Sequence, residues 1–182
     1  MKVAIYGRSG TASVVPFVEQ LLDEIRRCGV EAVIYHPFLN FIKHNSKVDL
    51  SYETFSSHDD IRNKVDFLFS LGGDGTMLDT ISLVRDSGIP VVGINTGRLG
   101  FLASIPKEEI AICLDQLVKG RYETDQRSLI RLETNRSLFG EVNYALNEIT
   151  IHKKDSSSMI IIHTYLNGEY LNSYWADGLI IA

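Results

Sequence analysis

Two cysteines, one tryptophan and four prolines are all that the 182 residues hold of those types. Cys28 and Cys113 lie far apart, each inside a helical pattern. Nothing marks a disulfide framework or a thiolate metal site, and small reduced core residues in a reducing cytoplasm are expected. No apolar run approaches the ~20 residues that span a bilayer. The amino terminus enters a strand directly at residues 2–7, so a signal peptide is not expected. Positive charge is in deficit: 18 Lys and Arg against 23 Asp and Glu give a net charge of −5, with a pI near 5.5. That balance argues against general binding to nucleic acid or anionic membranes, while leaving room for a local phosphate pocket. The histidines His36, His44, His58, His152 and His163 show no metal-ligand spacing. Neither G-x-G-x-x-G after the first strand nor G-x-x-x-x-G-K-[ST] occurs, which excludes an ordinary dehydrogenase and a P-loop enzyme.

What is present is an α/β alternation. Residues 2–7, 31–36, 65–71 and 89–94 read as strands. Val14, Val18, Leu21, Leu22 and Ile25 recur at helical spacing, with Ser13 as a candidate cap, Pro16 in the first turn and Gly29 as the stop. Residues 77–87 and 106–119 read as further helices, closed by Gly88 and Gly120. The mixed stretch 37–64 is given a short helix over 38–44 and then a loop, with Asp59-Asp60 as a helix cap or a solvated pair. Strands alternating with helices imply a mainly parallel sheet, a Rossmann-like domain over 1–120. Beyond Gly120 the pattern turns β-rich: 128–134 alternates, 142–152 is strand-like, and Asn167-Gly168 between two β-rich runs signals a hairpin. Ser156, Ser157 and Ser158 read as a loop. Residues 121–182 are expected to open a β-sandwich domain. Because the chain stops right after Leu179-Ile180-Ile181, that domain is expected to be incomplete.

Two glycine clusters follow strands. Gly72-Gly73-Asp74-Gly75-Thr76 lies between the apolar run 65–71 and a helix, where ligands gather at the carboxyl end of an open parallel sheet. Its glycines let the backbone approach a phosphate closely. Asp74 would repel that phosphate, so it is either an N-cap or a proton acceptor beside it, and a cap alone leaves three glycines unexplained. The second cluster runs from Gly93 through Asn95, Gly97, Arg98 and Gly100 to Phe101-Leu102. Asn95 suits a hydrogen bond to a sugar or base, Phe101 either stacks on a base or fills the core, and Arg98 either meets a phosphate or is solvated. Asn147-Glu148 stands inside the strand-like run 142–152, where at least one of two adjacent residues is expected to be buried unless a ligand or a loop meets it. Asp177, before Gly178, raises the same question.

Taken together, Gly72-Gly73-Asp74-Gly75-Thr76, Asn95-x-Gly-x-Leu-Gly-Phe-Leu over 95–102, Leu146-Asn147-Glu148 and Asp177-Gly178-Leu179-Ile180 resemble the NAD kinase family over nearly the whole chain. The first motif is shared with diacylglycerol and sphingosine kinases and with phosphofructokinases; the set of four is much more specific. The resemblance implies an α/β domain followed by a β-sandwich, and transfer of the γ-phosphate of ATP to the 2′-hydroxyl of the adenosine ribose of NAD. It implies Asp74 as proton acceptor, Gly73, Gly75 and Thr76 shaping its loop, and Asn147, Glu148 and Asp177 holding the dinucleotide with Phe101 near the adenine. Mg²⁺ or Mn²⁺ would arrive with ATP, and dimers or tetramers are implied. Two departures stand out. A Gly/Ser/Thr-rich stretch that follows the strand 179–182 in the family is not in this sequence, and Trp175 replaces a residue that is basic in some relatives. A lipid or sphingoid kinase sharing the first turn, or a dinucleotide-binding fragment without transfer chemistry, are the alternatives.

Overall fold

The computed structural model describes residues 1–10, 12–46, 51–97, 100–136, 138–140, 142–154 and 158–182. They form two compact units, Met1–Gln126 and Arg127–Ala182.

The first unit is built on a six-stranded sheet in which every neighbouring pair is parallel. Its strands are β1 (Lys2–Gly7), β2 (Glu31–Tyr35), β3 (Glu53–Phe55), β4 (Phe67–Leu71), β5 (Val91–Asn95) and β6 (Ile105–Pro106), in the order β3-β2-β1-β4-β5-β6. Strand β4 is buried along its whole length, as an apolar run covered on both faces must be. Adjacent residues then serve opposite cores. Phe67, Phe69 and Leu71 join Ile5 in one, while Leu68 joins Ala4 in the other.

The first core is covered by α1 (Val15–Arg27), α2 (His36–Asn45) and the later α6 (Ile110–Val118), through Val18, Leu22, Phe38, Ile42 and Leu114. The second takes Ile61 from α3 (His58–Ile61) and Leu83 from α5 (Ile81–Val84). Between these lies α4 (Asp74–Asp79), directly after the glycine turn. The sheet is thus doubly wound. The chain runs outward from β1 through β2 to β3, then returns to β4 on the other side of β1, so the strand order reverses between β1 and β4. In such sheets that reversal opens a crevice at the carboxyl ends of the two strands.

Several sequence expectations are corrected here. The helix predicted over 77–87 is two short helices starting at Asp74, broken where the Thr80 hydroxyl donates to the Met77 carbonyl (2.6 Å) and the Ser82 hydroxyl to Asp79 (2.8 Å). Such local side-chain bonds compete with the helical ladder. Ser13 sits in a 3-10 turn, Ala12–Val14, rather than at the N-cap of α1. The loop assigned after α2 contains β3 and α3, the latter started by a capping box in which Asp60 accepts from the Ser57 amide (2.9 Å). Residues 47–50 of that loop, and Ser156 and Ser157 of the serine loop, lie outside the described residues. Cys28 and Cys113 are free and half-buried, and burial pushes the Cys113 thiol up to about 11.

The second unit is β-rich: β7 (Ile130–Arg131), β8 (Tyr144–Ala145), β9 (Ile149–His152), β10 (Ile160–Leu166), β11 (Glu169–Ala176) and β12 (Gly178–Ile181). They pair antiparallel as β7 with β8, β12 with β9 and β10 with β11. The hairpin turn is at Asn167-Gly168, both with positive φ (53° and 86°), the signature of the tight primed turns. The strand predicted over 142–152 is instead β8 and β9, with bends at Leu146 and Asn147.

Candidate functional site

The carboxyl ends of β1, β4 and β5 bring three turns together. After β4, Gly72 donates its amide to the Ile94 carbonyl at the end of β5 (3.0 Å), and the Thr76 and Met77 amides close on the Gly73 carbonyl (3.0 and 3.1 Å). Gly72 has φ +154°, and a Cβ there would overlap the buried Thr76 side chain, so glycine and threonine are interdependent. Gly73 differs: its backbone is ordinary and a Cβ would meet nothing in the chain within 4 Å. Neither strain nor packing requires a glycine there, so the open space beside it suits an approaching ligand.

Asp74 is not the N-cap of its helix; Gly73 holds that place. Its carboxylate reaches across to the turn after β5. Oδ2 accepts from the Phe101 amide (2.8 Å), and Oδ1 accepts from Leu102 (2.9 Å) and Ala103 (3.0 Å). A carboxylate held by three N–H groups is favoured in its charged form. The amides of Ala103, Phe101 and Leu102 accordingly hold Asp74 below the usual carboxylate range. The close fit depends on Gly100, whose absent Cβ would lie 2.5 Å from the Asp74 Cγ.

Asn95 is buried, donating through Nδ2 to the Ala103 carbonyl (3.3 Å) and accepting at Oδ1 from the Gly97 amide (2.7 Å), so it shapes the same turn. Phe101 is 98% exposed. The alternative in which its ring fills the core is thereby excluded, and a large aromatic face stands on a residue whose own amide bonds to Asp74. Arg98 and Leu99 lie outside the described residues.

The turn after β1 contributes residues that sequence reasoning missed. Arg8 forks onto Asp79, the last residue of α4, through Nε (2.5 Å) and Nη2 (2.7 Å), and Nη2 also donates to the Gly75 carbonyl (3.1 Å). The Tyr6 hydroxyl donates to Asp79 (3.0 Å); burial and that carboxylate push its pKa up, so it remains a donor. Arg8 holds the Asp79 carboxyl below its ordinary range. No short-range pattern could have shown this, since Arg8 and Asp79 are 71 residues apart.

In the second unit Asn147 and Glu148 are both exposed, in the bend that precedes β9. The expectation that one of the two would be buried fails because the chain bends there instead of continuing as a strand. Asp177, between β11 and β12, is exposed and accepts from Lys153 Nζ (2.5 Å), while its carbonyl accepts from the Lys153 amide (2.9 Å). The Lys153 ammonium holds the Asp177 carboxyl low. Trp175 is exposed on β11. Among the described residues no three His, Cys, Asp or Glu side chains form a metal cluster, and no helix is long and apolar enough to cross a membrane.

Residues 15–122 match the family model described as the ATP-NAD kinase N-terminal domain. The chain is similar over its whole length to an NAD kinase of Flavobacterium johnsoniae (46% identity) and one of Cytophaga hutchinsonii (42%), and spans 63% and 62% of those proteins. The fold matches that of yeast NADH kinase complexed with NADH, with a TM-score of 0.80 at 24% identity, covering 99% of this chain and 56% of that one.

Proposed function

The chain belongs to the ATP-NAD kinase family, and from that premise we propose that it carries the chemistry of NADP formation, in which the γ-phosphate of ATP passes to the 2′-hydroxyl of the adenosine ribose of NAD. The observation that carries this reading is the Asp74 carboxylate at the strand-order reversal, fixed by three amides beside an open glycine and an exposed phenylalanine. In the proposed step the ribose oxygen bonds to the γ-phosphorus, the bond to the departing ADP oxygen breaks, and the hydroxyl proton passes to Asp74.

A carboxylate of lowered basicity is poorly suited to removing that proton early. Asp74 therefore orients the hydroxyl as an acceptor first and takes the proton late, as its acidity rises with phosphorus bonding. Phosphoryl transfer rests mainly on positioning and charge neutralisation, so this modest role suffices. A divalent ion, Mg²⁺ or Mn²⁺, would be carried largely by the substrate phosphates, since Asp74 is already engaged by amides and magnesium needs few protein ligands. It would neutralise the charge on the phosphates. Gly73, Gly75 and Thr76 would shape the turn, and Asn95 the loop facing it. Asn147, Glu148 and Asp177 would hold NAD, Phe101 would stack on its adenine, and the setting would be cytoplasmic with a homodimeric or homotetrameric assembly.

The test is formation of NADP from NAD and ATP. A second reading is a dinucleotide-binding module without transfer, favoured by both Asp74 oxygens being already engaged by backbone amides. NAD binding with no NADP formed would establish it, and transfer to a diacylglycerol in place of NAD would point to the lipid kinases. Two substitutions bear on the binding roles. Phe101→Ala should leave the fold unaltered, because the ring is solvated, and raise KM for NAD by roughly 5- to 100-fold if a base stacks on it. Asn147→Ala should raise KM for NAD with kcat little changed; an unchanged KM with a large fall in kcat would contradict that role.

A further inference from the structure

We propose that Arg8 is a positioning residue: its guanidinium ties the helix that begins with Asp74 to the end of β1 and thereby sets where the Asp74 carboxylate stands. The inference rests on Asp74 being the proton acceptor. Helix α4 has only six residues, far short of what holds its own shape and orientation in water. Its place must be set from outside.

On one side, the amides of Phe101, Leu102 and Ala103 grip Asp74. On the other, Arg8 reaches both ends of the helix at once. It forks onto Asp79 at the last residue and donates to the Gly75 carbonyl in the first turn, with Nη1 3.5 Å from where a Cβ of Gly75 would be. Tyr6, two residues earlier in the chain, adds its hydroxyl to the same carboxylate. Exposed ion pairs of this kind contribute little to stability. Their geometry is another matter, because a planar fork fixes direction in a way that a lysine ammonium does not. Rotation of α4 about its axis would move Asp74 away from the amides and from any hydroxyl it faces.

The experiment compares the unaltered protein with Arg8→Met, Arg8→Lys, Asp79→Asn and the Arg8→Met/Asp79→Asn double variant. It reads the titration of the Asp74 carboxyl by carbon NMR, together with kcat and KM for NAD and ATP. Expected for Arg8→Met is an Asp74 midpoint raised toward the ordinary carboxylate value, a kcat lower by at least about tenfold, and both KM values within about twofold. Asp79→Asn should do the same, the double variant should be no worse than either single change, and Arg8→Lys should not restore the lost rate. An unmoved Asp74 midpoint, additive single effects, or full activity in Arg8→Lys would overturn the proposal. So would a raised KM for ATP at unchanged kcat, which would make Arg8 a phosphate ligand instead. If the unaltered protein forms no NADP, the functional reading fails by itself. The Asp74 titration across the four variants then still decides whether Arg8 sets the position of Asp74.

Discussion

Asp74→Asn is expected to lower kcat for NADP formation by about 10²- to 10⁴-fold, the range associated with a positioned proton acceptor, with KM for NAD changing far less. The carboxamide is nearly the same size, so the Gly100 contact survives. Its chemistry does not. Asp74 accepts at both oxygens, one amide on Oδ2 and two on Oδ1. An asparagine offers one oxygen and one NH₂, so at least one backbone N–H then faces another donor. The loop bearing Phe101 would shift as well as the acceptor being lost. Steady-state rates with NAD and ATP, measured beside NAD affinity by titration, separate the two consequences: weakened affinity with kcat unchanged would mean that Asp74 only binds.

The pH dependence follows from the same three bonds. They hold the folded-state pKa of Asp74 below its unfolded value of about 3.9. A group depressed in this way contributes stability that is present above its unfolded pKa and lost as pH falls through the folded one. With the carboxylate as the proposed acceptor, the acid limb of the rate profile should lie below the ordinary carboxylate range. A limb near neutrality would show that a different group, or a raised Asp74, governs the step.

The sheet, the main helices that flank it and the hairpin at Asn167-Gly168 are legible in the sequence because each has a local cause. Phe67–Leu71 is apolar throughout, the stripe from Val18 to Ile25 has helical period, and two residues with positive φ make the turn. The glycine turn is legible for a different reason: a cap alone does not account for three glycines around one carboxylate, although packing against Thr76 accounts for Gly72. What escapes sequence reading is everything that depends on distance. Strand β3 is three residues long, too short for any period to register, and it forms because β2 offers Val33, Ile34 and Tyr35 an edge to be paired. The grip of the 101–103 amides on Asp74 spans 27 to 29 residues, and the Arg8 fork spans 71. Asn147 and Glu148 show the opposite failure. Their neighbours are β-rich enough to suggest one strand, but a bend divides it, and exposure rather than forced burial is what the pair has in common.

Gly100→Ala should be nearly as damaging as loss of the carboxylate, although it removes no functional group. Glycine at this position makes room for contact. An added Cβ would stand 2.5 Å from the Asp74 Cγ and 2.7 Å from Oδ2, nearer than non-bonded carbon and oxygen atoms approach. One of the two turns must then yield, and either movement lengthens the bonds from the 101–103 amides. A displacement of about 1 Å at a reacting group can cost about 100-fold in rate, so kcat should fall by roughly that factor. The loss of fold stability should remain within the roughly 1–3 kcal/mol typical of an inserted methyl group. Gly73→Ala provides the contrast. Its Cβ would meet no atom of the chain within 4 Å, so stability should fall by no more than the roughly 1 kcal/mol of a poorer N-cap, and the main effect should appear in KM, where a bound dinucleotide would collide with it. Thermal melts with kinetics on both variants decide the matter. If Gly100→Ala keeps full rate, the contact between Gly100 and Asp74 does not fix the acceptor; if Gly73→Ala leaves KM untouched, the open space beside it is not where the dinucleotide lies.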